Sequence, residues 1–86
     1  MSSYSITFAR SARKELQALE QGIANRILDA IEGLALQPRA AGCKKLRGSG
    51  DLWRIRVSDY RIVYGVDDSE MVVDVVVIRH RRDAYR

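Results

Sequence analysis

The chain has 86 residues, 47% of them hydrophobic and 30% charged, with a net charge of +4. That length suits one domain, residues 1–86, with a single thin core. No apolar run approaches the ~18 residues of a membrane span. The opening residues lack the apolar stretch of a secretory leader, and a lone cysteine, Cys43, can close no internal disulfide. These features point to the cytoplasm. One cysteine and one histidine, His80, make no structural zinc set, and there is no Gly-rich phosphate loop. Neither a metal nor a cofactor is expected.

In chain order, Tyr4, Ile6 and Phe8 alternate with Ser5 and Thr7, the period of a half-buried strand. From Ala9 to Leu19 the residues Ala12, Leu16 and Leu19 share one helical face. The pair Gln21-Gly22 is expected to end that helix. A second helix is predicted from Ile23 to Leu36, with Ile23, Ile27, Ala30, Ile31 and Leu34 at helical spacing, and Pro38 stops it. So short a break predicts a helical hairpin. After Cys43 the period becomes two. The segments LWRIRV (52–57), YRIVYGV (60–66) and MVVDVVVIR (71–79) read as strands, separated by Ser58-Asp59 and by residues 67–70. Short polar breaks make these three an antiparallel meander. The expected fold is α+β: an N-terminal strand, a helical hairpin and a three-strand meander, with the helices packed on one face of an antiparallel sheet. The third strand is apolar on both faces, which suggests cover on both sides or by a partner.

Twelve of the fifteen basic residues are arginine, a bias that favours planar, bidentate phosphate recognition. They gather in two blocks. Residues 44–61 hold Lys44, Lys45, Arg47, Arg54, Arg56 and Arg61 against Asp51 and Asp59, and residues 79–86 hold Arg79, Arg81, Arg82 and Arg86 against Asp83. If Ser58-Asp59 is a two-residue loop, Val57 opposes Tyr60, Arg56 opposes Arg61 and Ile55 opposes Ile62. Opposed residues point to the same side of a sheet. Trp53, Ile55, Val57, Tyr60, Ile62 and Tyr64 then form an apolar face under the helices, and Arg54, Arg56 and Arg61 fall together on the other. Like charges directly opposite destabilise a hairpin, so this face is expected to meet a polyanion, most plainly nucleic acid.

Arginine stabilises developing charge but does not act as a base in water. His80, the side-chain type that titrates nearest neutrality, and Tyr85, a phenol whose ionisation nearby cations favour, are the candidate bases. These parts suit metal-free RNA cleavage: the 2′-OH loses its proton, its oxygen attacks the adjacent phosphate, and arginines stabilise the transition state. DNA lacks the 2′-OH.

The order KKLRG (44–48), LWRIRVSDYRIVY (52–64), a Val-rich strand and HRRDAYR (80–86) resembles the RelE branch of the RelE/ParE toxin superfamily over essentially the whole chain. The resemblance implies a microbial-ribonuclease-like fold and the toxin of a type II toxin–antitoxin pair. It further implies cleavage of mRNA in the ribosomal A site and neutralisation by a RelB-type antitoxin. It places the family's basic hairpin positions on Arg54, Arg56 and Arg61, its C-terminal arginine and tyrosine on Arg81 and Tyr85, and its K-L-R pair on Lys45 and Arg47. Arg54, Arg56, Arg61, Arg81, Tyr85 and His80 make the expected catalytic set. Lys44, Lys45, Arg47, Arg79 and Arg82 are expected to bind mRNA and the ribosome. Some members carry lysines where this chain has Arg54 and Arg56, which shifts acid–base work toward Tyr85 or His80. Two other functions compete: a ParE-like gyrase poison on the same fold, and a catalytically weak remnant that only binds nucleic acid or its antitoxin. The apolar third strand and the charge suggest an acidic, partly disordered partner.

Overall fold

Alternation of Ile6 and Phe8 with Ser5 and Thr7 gives strand β1 (Ser5–Phe8), followed by helices α1 (Arg10–Gln17) and α2 (Gln21–Leu36). A two-residue strand β2 (Lys44–Lys45) precedes β3 (Leu52–Val57), β4 (Tyr60–Asp67), β5 (Val72–His80) and a single turn, α3 (Arg81–Ala84). The computed structural model describes residues 3–40, 42–46 and 50–84. The strand order is β1-β5-β4-β3-β2.

The meander of β3, β4 and β5 is antiparallel as expected, but the sheet is mixed, because β1 pairs with β5 in parallel. The two helices between β1 and the meander return the chain to the starting end, the crossover that a parallel partner requires. Gly22 does not end the first helix. It lies inside α2, and the break falls at residues 18–20, where the Ala18 N–H reaches the Lys14 and Glu15 carbonyls. Each helix makes its main contacts with the sheet, α1 with β5 and α2 with β1, β3 and β5.

Ala12, Ile27, Ile31 and Leu34 from the helices meet Ile55, Ile62, Tyr64, Val66, Val73, Val75 and Ile78 from the sheet, all buried in one cluster. Each fully buried aliphatic chain of this kind stabilises the fold by about 1.5–3 kcal/mol. Successive core residues on β5 are Val73, Val75 and Ile78, so the spacing changes from two to three. Val63 opposes Val77 while Tyr64 opposes Val75, which leaves Val76 as an extra residue, a β-bulge. The apolar run of β5 therefore reflects a central strand with a shifted alternation.

The segment after α2 is pinned to the sheet. Arg39 makes two hydrogen bonds to Asp68 (3.2 and 2.9 Å), and the Tyr4 hydroxyl donates to the same carboxylate at 2.6 Å. The Arg39 guanidinium also lies 5.2 Å from the Trp53 ring centroid. Arg39, then Tyr4, holds the Asp68 carboxyl below its ordinary range. A depressed carboxyl pKa contributes stability above the unfolded value of ~3.9 and loses it as pH falls through the lower folded value. Asp68→Asn should thus lower the melting temperature at pH 7 but not at pH 2, as a thermal melt at each pH would record. Both partners are substantially exposed, so the effect should be small.

Candidate nucleic-acid interface

The β3–β4 hairpin has the register that a two-residue Ser58-Asp59 loop dictates: Val57 opposes Tyr60, Arg56 opposes Arg61 and Arg54 opposes Val63. Ser58 sits at a φ of 55°, left-handed backbone that is uncommon for a non-glycine residue and suits a tight turn. With Ile55, Ile62 and Tyr64 buried under the helices, Arg54, Arg56 and Arg61 lie on the helix-free face.

The bulge at Val76 brings a fourth arginine to them. Beyond it, Ile78 opposes Ile62 on the core side and Arg79 opposes Arg61 on the open side. Arg56, Arg61 and Arg79 thus form one row across three adjacent strands, about 10 Å end to end at the usual strand spacing. Lys44 opposes Arg54 and extends the basic strip to the sheet edge. The central arginine is the most confined: its Nε is buried and meets no acceptor among the described residues. Among those residues neither Arg61 nor Arg79 has an ion-pair partner. A buried donor without an acceptor, between two other guanidinium-bearing positions, can donate a hydrogen bond to an incoming anion.

The same face is acidic at its other end. Asp74 opposes Gly65, and Asp67 lies six residues beyond Arg61 along β4, about 20 Å away. With Asp51, Leu52, Glu70 and Val72 they line a shallow groove of about 580 Å³. The Glu70 N–H and then the Ser69 hydroxyl bond the Asp67 carboxylate and hold its pKa down, so that end stays negative. An RNA backbone laid along the strands would run from cations into carboxylates. One laid across the strands would follow the arginine row.

His80 is elsewhere. It opposes Tyr60 on the core side of the sheet, with the two rings edge-on at 5.2 Å, so the structure does not join it to the arginine row. Arg81 and Arg82 are exposed at the start of α3, beside the β3–β4 turn. Arg81 binds Asp59 through its backbone N–H (2.6 Å to the carbonyl) and reaches the Asp59 carboxylate at 4.0 Å. Lys45, opposite Trp53, points to the core side at the sheet edge. Arg47 and Tyr85 lie outside the described residues. Among the described residues no His, Cys, Asp and Glu group could hold a metal ion, and no helix is long and apolar enough to cross a membrane.

The family model for the ParE toxin of type II toxin–antitoxin systems matches residues 6–85. The chain belongs to the RelE/ParE toxin superfamily. It is a RelE-like toxin of the type II toxin–antitoxin class. Toxin RelE of Mycobacterium tuberculosis is 33% identical over 85 residues, covering 96% of this chain and 87% of its own length. Toxin RelG of the same organism is 29% identical over 84 residues, covering 96% and 97%. The toxin in the RelE–RelB complex of Pyrococcus horikoshii superposes with a TM-score of 0.82 at 29% identity, covering 94% of this chain and 97% of that one. The α+β architecture with helices on one face is thus that of RelE structures.

The sequence places Arg79 among the residues expected to bind mRNA and the ribosome, without showing that it joins the row. The signal was the Val-rich run before it, which allows two alternations and marks neither.

Proposed function

We propose that this RelE/ParE toxin is a metal-independent endoribonuclease that cuts mRNA in the ribosomal A site. The observation that carries the reading is the arginine row Arg56–Arg61–Arg79 with its unsatisfied central donor. A base removes the proton of a 2′-OH, the oxygen attacks the neighbouring phosphorus, and the 5′-oxygen of the next nucleotide leaves, taking up a proton. The row stabilises the charge that accumulates on the phosphoryl oxygens. Arg54 and Lys44 hold the flanking phosphates. We assign the base to Tyr85 on the family resemblance. Arg81 and Arg82, with Lys45 and Arg47, serve as contacts to message and ribosomal RNA. The partner is a RelB-type antitoxin, a reading supported by the Pyrococcus relative's occurrence in a complex with RelB. The toxin acts in the cytoplasm, where its message is.

The test is primer extension on message from a cell-free translation reaction, with naked RNA as control. Breaks confined to translated message, at a fixed position within codons, are expected. Intact message with translation unaffected would remove the nuclease. The ParE name of the matching family model favours a second reading, a gyrase poison, and a supercoiling assay in which gyrase is inhibited while message stays whole would select it.

The row also predicts a salt signature. Arg79→Ala should weaken binding to a non-cleavable 2′-deoxy or 2′-O-methyl RNA and reduce the slope of log K against log salt by about one, the value for one lost phosphate contact. An unchanged slope would place Arg79 off the RNA path.

A further inference from the structure

His80 has a role that its place on the core side of the sheet defines. It is the last residue of β5, and its Nδ1 accepts a hydrogen bond from the Arg82 backbone N–H at 3.2 Å. That is the geometry of an N-cap, a side-chain acceptor on the second N–H of the helix that begins with Arg81. The first N–H, of Arg81, is taken by the Asp59 carbonyl at 2.6 Å. A helix of four residues cannot hold itself by its own hydrogen bonds. Its orientation depends on these two anchors. The edge-on Tyr60 ring braces the imidazole from β4.

We propose that His80 is a positioning residue whose neutral imidazole caps α3 and so sets where Arg81 and Arg82 stand. The acceptor exists only while Nδ1 carries no proton. Protonation would turn it into a donor facing the Arg82 N–H donor. It would also place an imidazolium beside the Arg81 and Arg82 cations, with the Asp59 carboxylate lining the same recess among the described residues. The phenol of Tyr60 is the remaining titratable group against the ring. The cap therefore holds while the imidazole is neutral and is lost when it takes up a proton.

The experiment is an amide-resolved NMR titration of the purified toxin between pH 8 and pH 5, with protection factors for Arg82. In the wild type the Arg82 amide should shift together with the His80 ring signals and lose about fivefold in protection at the acid end, the effect of one cap. His80→Asn supplies a good capping acceptor that does not titrate, and should keep Arg82 protected across the range. His80→Ala should show the low protection at every pH. The consequence for cleavage rests on the nuclease reading. At pH 7 His80→Asn should cut within about twofold of wild type, and its rate relative to wild type should rise as pH falls. An Arg82 amide indifferent to the His80 titration would overturn the proposal. So would loss of cleavage in His80→Asn with Arg82 still protected, since that would make His80 a chemical participant. If Arg82 follows His80 and no message is cut by the wild type, the cap stands and the nuclease reading fails.

Discussion

Arg61→Ala is expected to lower cleavage of translated message by about 10²- to 10³-fold, the usual cost of removing one preorganised donor from a developing anion, while the fold becomes no less stable. The two effects have one cause. Arg61 stands between Arg56 and Arg79 on adjacent strands, and its Nε is buried without an acceptor among the described residues. Without RNA this arrangement costs free energy, from like charges directly opposed and from a desolvated donor. Those same terms turn favourable when a phosphate arrives. Removing the side chain should thus leave the melting temperature unchanged or raise it. Arg61→Lys retains the charge but loses the planar fork, and should recover only part of the rate. Rates come from primer extension and stability from thermal melts of the same preparations. A clear fall in melting temperature would mean that Arg61 is structural, and undiminished cleavage would remove it from the site.

Tyr64→Ala should produce the largest loss of stability, about 3–5 kcal/mol by analogy with other buried aromatics. For a domain whose total is on the order of 5–10 kcal/mol, that leaves a marginal fold. Tyr64 is fully buried and is the largest such side chain among the described residues. It opposes Trp53 on β3 and Val75 beside the bulge on β5, so it ties together the strands that carry the arginines. Its hydroxyl donates to the Pro38 carbonyl at 2.7 Å and anchors the segment after α2. Tyr64→Phe removes only that bond and should cost about 1–2 kcal/mol. Burial, and then the neighbouring Cys43, pushes the phenol pKa up. An acid whose folded pKa is raised contributes stability below the unfolded value of ~10 and loses it as pH climbs above that value. The alkaline fall in melting temperature above pH 10 should be shallower in Tyr64→Phe than in wild type. An equal fall in both proteins would assign it to other groups.

Much of this arrangement is legible in the residues. The alternation of Trp53, Ile55 and Val57 with Arg54 and Arg56, and its mirror in Tyr60, Ile62 and Tyr64, leaves one register for a two-residue loop. The basic face of the hairpin follows from it. The helices are equally plain at Ile27, Ile31 and Leu34. Gly22 misled because glycine is tolerated inside a helix as well as after one. The parallel pairing of β1 with β5 was not legible, since a strand of four residues carries no mark of its partner. Neither was the Arg39–Asp68 bond, which joins residues 29 positions apart.

The sequence by itself determined the α+β class, the meander and three of the four arginines on the open face, because local periodicity and a short loop leave no other way to bury the apolar side. Only the tertiary structure decided what the end of β5 does. Carried on without interruption, the alternation of Val73 and Val75 would send Arg79 under the helices and His80 onto the arginine face. The extra residue at Val76 reverses both. Arg79 joins the row, and His80 turns to the core side, where it meets Tyr60 and the start of α3. From Val75 to Ile78 the strand is wholly apolar, so no polar residue between Asp74 and Arg79 records where the alternation shifts. That choice was made by Ile62 and Tyr64 on the neighbouring strand, which bury Ile78 and Val75 and leave Val76, one of the two residues between them, to bulge.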